Sequence, residues 1–190
     1  MTMSVTALIA QRIDRFTRRD LARRFAALGF RRGAEIGVRQ GAFSLALCEA
    51  IPGLELLCVD AWTHYKSGTF NYNHERNYQI ATNRLTPYRA TLVRALSMDA
   101  VRDVPIGSLD FVYIDANHDY AFVRDDITAW SARVRSGGIV SGDDYVAPGV
   151  RRAVDEFVDA HGIVEWWLTD DRNRRNRKNE VFTSWFWMKT

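Results

Sequence analysis

Three apolar runs in this chain end in a carboxylate. Residues 54–59 (LELLCV) are followed by Asp60, residues 109–115 (LDFVYID) close on Asp115, and residues 138–143 (GIVSGD) close on Asp143. A strand that is apolar along its whole length needs cover on both faces, which crossover helices give a parallel sheet. Helical patterns at 42–51, 98–104, 120–134 and 150–160 fall between these runs, the last with Val150, Val154, Phe157 and Val158 on one stripe. A weaker strand is expected at 88–94. Alternation of this kind dictates an α/β, doubly wound, mostly parallel sheet with right-handed crossovers. Ligands in such sheets bind outside the carboxyl ends of the strands, so the acidic strand ends should face one crevice.

The alternation breaks near the C-terminus. Residues 163–169 (IVEWWLT) and 181–188 (VFTSWFWM) read as strands with no helix between them, which predicts an antiparallel hairpin and a seven-stranded sheet in all. Its connecting loop carries Arg172, Arg174, Arg175, Arg177 and Lys178. That run reads either as a solvated turn or as a clamp for an anionic substrate, since guanidinium suits phosphate and carboxylate. With 190 residues and 47% hydrophobic content, one domain over 1–190 is expected. Residues 1–32 would form covering helices, 61–87 a lid-like insertion rich in Trp, Tyr, Asn and His, and 163–190 the hairpin. A net charge of +3 permits an acidic partner without requiring one. No stretch is long and apolar enough to span a membrane, and the start of the chain lacks the basic n-region of a signal peptide. Cys48 and Cys58 have neither metal nor redox spacing and fit buried thiols in a reducing cytoplasm.

Residues 33–41 (GAEIGVRQG) form the expected ligand turn: Glu35 ends a short strand, and Gly37 and Gly41 remove side chains where the backbone must turn. A dinucleotide fingerprint needs a second glycine where this chain has Arg39. Asp60 lies at the distance from Gly37 at which an acidic residue accepts hydrogen bonds from ribose hydroxyls. Asp115, Asp143 and Asp144 should crowd one edge, with His118 on the loop between their strands. Two unit charges about 4 Å apart repel by about 4 kcal/mol at an effective dielectric near 20. A divalent ion ligated by oxygen, such as Mg²⁺, would relieve that repulsion. Asp119 or Asp144 could instead cap a helix.

The pattern E-x-G-x-x-x-G at Glu35, Gly37 and Gly41 resembles motif I of the class I S-adenosylmethionine-dependent methyltransferases. Asp115-x-x-His118 with Asp143-Asp144 resembles the metal-dependent O-methyltransferases of the catechol and macrocin or mycinamicin sugar type, and the likeness extends over roughly residues 33–160. It implies a Rossmann-like methyltransferase fold with Glu35, Gly37, Gly41, Asp60, Ser97, Met98 and Asp115 around S-adenosyl-L-methionine. It further implies Mg²⁺ on Asp115, Asp143 and Asp144, and His118 as the base. The chemistry agrees: methyl transfer from a sulfonium needs a nucleophile at near-attack distance, and a sugar or phenol hydroxyl needs help to lose its proton. His64 and His74 have no ligand-like spacing. The leading expectation is therefore O-methylation of a small hydroxylated molecule, such as a sugar or glycoside, by a cytoplasmic enzyme whose assembly into a homo-oligomer is left open. The alternatives are a nucleic-acid methyltransferase using the Arg-rich loop, and a non-catalytic partner protein.

Overall fold

The computed structural model describes residues 11–63, 73–171, 181 and 183–190. In chain order the elements are β1 (Gln11–Arg12), α1 (Arg18–Ala27), β2 (Arg32–Ile36), α2 (Ala42–Ala50), β3 (Glu55–Asp60), α3 (His74–Leu85), β4 (Ala90–Arg94) and α4 (Ser97–Ala100), which runs into a 3₁₀ turn at Val101–Asp103. They continue with β5 (Leu109–Ile114), α5 (Tyr120–Ser131), β6 (Val134–Gly142), α6 (Pro148–Ala160), β7 (Trp166–Leu168) and β8 (Trp185–Met188). The strands form one sheet in the order β1-β7-β8-β6-β5-β2-β3-β4. Among the described residues, only β8 runs antiparallel to its neighbours, β6 and β7. The expected doubly wound sheet with its C-terminal hairpin is therefore present. A two-residue strand at Gln11–Arg12, parallel to β7, adds an eighth member at one edge.

Side-chain alternation along the central strand explains the two helical layers. Phe111 and Tyr113 of β5 face a core built by α1, α2 and α3, with Leu21, Phe25, Phe43, Leu47 and Leu85. Val112 and Ile114 face the other, where α5 and α6 supply Val123, Ile127, Trp130, Val150 and Val154. Burial on both faces is what the uninterrupted apolar runs required. Gly33 leaves room for the Phe111 ring, which would lie 2.2 Å from any Cβ placed there.

Three boundaries differ from expectation. Helix α5 ends at Ser131, and Val134 already opens β6, pairing with Leu109 across an irregular register. The insertion at 61–87 contains a twelve-residue helix, α3, capped by the Asn73 side chain and buried through Asn77, Ala81 and Leu85. Both hairpin strands are also shorter than their apolar runs. No helix among the described residues is long and apolar enough to cross a membrane. His64 and the basic residues Arg172, Arg174, Arg175, Arg177 and Lys178 lie outside the described residues.

Candidate active site

The glycine turn joins β2 to α2 and is held from three sides. Gly37 has φ +93, and a Cβ there would lie 2.0 Å from the Asp115 carbonyl oxygen. The glycine thus admits the end of β5, with the Gly37 amide donating to Val59 and the Asp115 amide to Ile36. Gly41, at φ +70, starts α2 without a side-chain cap. Between them Arg39 is also left-handed, and Asp60 holds it: Oδ2 accepts from the Arg39 amide at 2.8 Å, and Oδ1 accepts from the Trp62 amide at 2.8 Å. Trp62 closes the ring by donating its indole N–H to the Arg39 carbonyl at 2.8 Å. Helix α3 braces the same loop, since Gln40 donates to Asn77 at 2.9 Å and Arg84 to the Gln40 carbonyl at 2.6 Å. The sequence reading, which took 61–87 as a lid-like insertion, missed these α3 contacts.

Glu35 lies beneath the turn instead of lining it. It is 2% exposed and accepts a short hydrogen bond from the Ser44 hydroxyl. Burial pushes its carboxyl up to about 8, against the milder pull of Ser44, so it is mainly neutral at pH 7. A direct contact between Glu35 and a cofactor does not follow from this position. Ser97, at the start of α4, makes no side-chain cap; it donates to Asp126 and accepts from the Trp130 indole at 2.8 Å, tying α4 to α5. Its neighbour Met98 is 41% exposed.

The three carboxylates beyond β5 and β6 meet different partners. Asp144 takes φ +54, which breaks the alternation after β6 and turns consecutive side chains to different places. Its Oδ2 meets His118 Nε2 at 3.1 Å, while Asp115 Oδ1 stands 3.8 Å from the same nitrogen. Ligand atoms of Asp115, His118 and Asp144 all lie within 4.8 Å of one another. Asp144 does not cap α6, whose N-cap is Ala147, and Asp119 stands at the N-cap of α5 without a side-chain capping bond. Asp143 points inward and is 2% exposed; Oδ1 accepts from Ser184 at 3.1 Å and Oδ2 from Arg18 at 3.3 Å. The cluster thus joins His118 to Asp115 and Asp144, while Asp143, also expected as a metal ligand, is buried beside it and accepts from Ser184 and Arg18.

Arg18, unrecognised in the sequence reading, reaches this edge from the first turn of α1. Its Nη1 lies 3.3 Å from Asp143 and 3.9 Å from Asp115, and the guanidinium rests 5.0 Å from the Phe43 ring centroid. Burial alone would lower its pKa, but Tyr113, Asp143 and Asp115 raise it further than that, so it stays charged. Burial, with Asp143 adding to it, holds the Asp115 carboxyl above its ordinary value. Asp115, which lies against the ring, raises the His118 imidazole despite partial burial, and Asp144 adds to the rise. Gly149 lets α6 approach this loop: a Cβ there would lie 2.3 Å from the His118 carbonyl oxygen. The arrangement can orient a proton acceptor beside a glycine turn, and it can supply two oxygens and a nitrogen to a cation.

Residues 34–145 match the family model described as a methyltransferase domain. No curated protein sequence matches the chain. Among solved structures, the chain resembles an O-methyltransferase from Bacillus cereus in complex with SAH, with a TM-score of 0.69 at 18% identity over 96% of this chain and 84% of that one. It also resembles the O-methyltransferase TomG from Streptomyces achromogenes, in complex with SAM (0.66, 19% identity, 91% and 80% covered). A third is the N-methyltransferase NodS from Bradyrhizobium japonicum (0.60, 14% identity, 90% and 94% covered). The shared fold thus serves more than one acceptor atom, and the acceptor has to be argued from the site.

Proposed function

Because the chain belongs to the methyltransferase-domain family and carries the class I methyltransferase fold, we propose that it transfers the methyl group of S-adenosylmethionine to a hydroxyl oxygen of a small molecule, plausible acceptors being sugars and glycosides. The observation that carries the oxygen acceptor is His118, exposed at the crevice with Nε2 between two carboxylates. Such a base serves an oxygen acceptor most, since a neutral hydroxyl is a poor nucleophile until its proton is drawn off, whereas a neutral amine attacks as it is. In the proposed step the hydroxyl oxygen forms a bond to the methyl carbon while the carbon–sulfur bond breaks. The bonding pair stays on sulfur, and the hydroxyl proton passes to His118 Nδ1, the ring nitrogen turned away from the carboxylates, while Nε2 keeps its proton and donates to Asp144. Asp144 and Asp115 hold the ring and stabilise the imidazolium that results. For the cofactor, the residues at hand fit: the turn from Gly37 to Gly41 and Asp60 meet at the carboxyl edge of β2 and β3, and Asp60, fixed by two amides, keeps lone pairs for ribose hydroxyls.

A second reading is favoured by the clustering of Asp115, His118 and Asp144. Their donors fit a divalent ion such as Mg²⁺ or Mn²⁺, which would supply a lowered pKa to the acceptor hydroxyl. An imidazole that binds the ion through Nε2 carries its one proton on Nδ1 and cannot take another, so the two readings are separable. Calorimetry with S-adenosylmethionine and S-adenosylhomocysteine tests the cofactor. No heat from either ligand, with the protein folded, refutes the methyltransferase reading. Once an acceptor is found by product mass, turnover in excess chelator decides between the two: full activity supports the base, and loss restored by Mg²⁺ or Mn²⁺ supports the ion.

A further inference from the structure

We propose that Arg18 is a positioning residue that fills, with its guanidinium, the place a divalent cation would take between Asp115 and Asp143, and so removes Asp143 from any metal site in this chain. The inference rests on the reading of this edge as the acceptor side of a methyltransferase, but its test needs no methyl transfer. Four observations support it. One nitrogen, Nη1, reaches both carboxylates, at 3.3 and 3.9 Å. Asp143 has a side chain 1% exposed, and the Ser184 hydroxyl occupies its second oxygen, leaving no face open to a hydrated ion. The Ser184 hydroxyl is itself fixed by Tyr113 at 2.8 Å, so the Asp143 carboxylate sits in a closed network.

The fourth observation is that Arg18 is anchored before it reaches the site. It is the first residue of α1, behind a reciprocal capping box in which Thr17 accepts from the Asp20 amide and Asp20 accepts from the Thr17 amide at 3.0 Å. Leu21, Ala22 and Phe25 bury the next turns of that helix, and Phe43 supports the guanidinium from the side. A fixed cation beside two carboxylates does electrostatically what a metal would, without open coordination positions. The consequence is a division of labour: Asp143 holds α1 against the sheet edge, and Asp115 keeps the oxygen that faces His118.

The probe is Mn²⁺ alone, titrated into the full chain and followed by electron paramagnetic resonance and calorimetry. Arg18→Gln should bind Mn²⁺ at least about tenfold more tightly than the parent, because the released carboxylate pair is then answered only by the ion. The gain should vanish in Arg18→Gln/Asp143→Asn, and Arg18→Lys should behave as the parent. Asp143→Asn alone should leave Mn²⁺ binding as it is in the parent. If Arg18→Gln does not fold by itself, millimolar Mn²⁺ should restore cooperative unfolding, since a ligand bound only by the native state stabilises it. A folded Arg18→Gln with parental Mn²⁺ binding, a failure of Mn²⁺ to rescue an unfolded one, or weakened binding in Asp143→Asn overturns the proposal. A merely structural ion pair would lower stability in these variants without moving Mn²⁺ affinity.

Discussion

Replacing Glu35 by Gln should change the pH dependence of stability more than stability itself. The folded carboxyl titrates at about 8, against 4.5 for the ordinary group, because it is buried and, among the described residues, only the Ser44 hydroxyl is its hydrogen-bond partner. The sign follows from proton binding. Between these values the folded chain keeps a proton that the unfolded chain loses, so the stabilisation is complete below pH 4.5 and is lost as pH rises through about 8. Each pH unit in that window costs about 1.4 kcal/mol, or about 3 kcal/mol by pH 7. Gln has the shape of the neutral carboxyl, its Oε1 can accept from Ser44, and it does not titrate. Relative to the parent, Glu35→Gln should therefore gain about 3 kcal/mol between pH 4.5 and 7, whatever offset the amide introduces. Urea unfolding of both proteins at several pH values across this range measures the gain. A difference between parent and variant that stays flat with pH would show that the carboxyl is ionised in the folded chain, and the buried neutral acid would have to be abandoned.

Other outcomes follow from the same geometry. Gly37→Ala places a Cβ on the Asp115 carbonyl at a left-handed φ and should cost at least about 2 kcal/mol in thermal unfolding, together with loss of S-adenosylhomocysteine binding. An unchanged melting temperature would mean that β5 can retreat from the turn. Asp60→Ala removes both acceptors that fix Arg39 and Trp62, and calorimetry should show cofactor binding weakened by about tenfold or more, with helix content by circular dichroism unchanged. His118→Ala should lower turnover by about 10² to 10⁴ with cofactor affinity intact. In the parent, turnover should rise with pH through an ionisation above the ordinary histidine value, because Asp115 and Asp144 hold the proton. A stability term from the same ionisation is present below the ordinary value and lost as pH rises through the folded one.

The layered sheet was legible because its signals are local. Phe111, Val112, Tyr113 and Ile114 are all apolar, and only a doubly covered strand accommodates such a run. Helix α3 was harder to read: HERNYQIATNRL is largely polar, and the buried Asn77, Ala81 and Leu85 form a stripe one residue wide, one of them an amide. The site failed at finer scale. Asp143 and Asp144 are adjacent and chemically alike, and what separates them is the backbone at Asp144, a φ of +54 that no residue pattern announces. Arg18 sits 125 positions before Asp143, and its helix could be inferred from Thr17 and Asp20, but the direction of its side chain could not. Ser97 was assigned by analogy of position, and its hydroxyl is used inside the fold.

The acidic side chains at the carboxyl edge are answered by different sets of partners, two of which Asp115 shares. Asp60 is held by two backbone amides, Asp143 by Arg18 and Ser184, and Asp144 by His118. Asp115 stands between Arg18 and His118 and is held above its ordinary pKa by burial. An edge of uncompensated carboxylates would bind a sulfonium cation most strongly before reaction, and would then resist the dispersal of that charge as the methyl group moves. In the proposed step, compensation from Arg18 would lower this ground-state attraction while leaving Asp115 and Asp144 to stabilise the charge that would develop on His118 as it takes the acceptor's proton. On that proposal the guanidinium and the imidazolium would stand on opposite sides of the same balance, one fixed before the reaction and one formed during it.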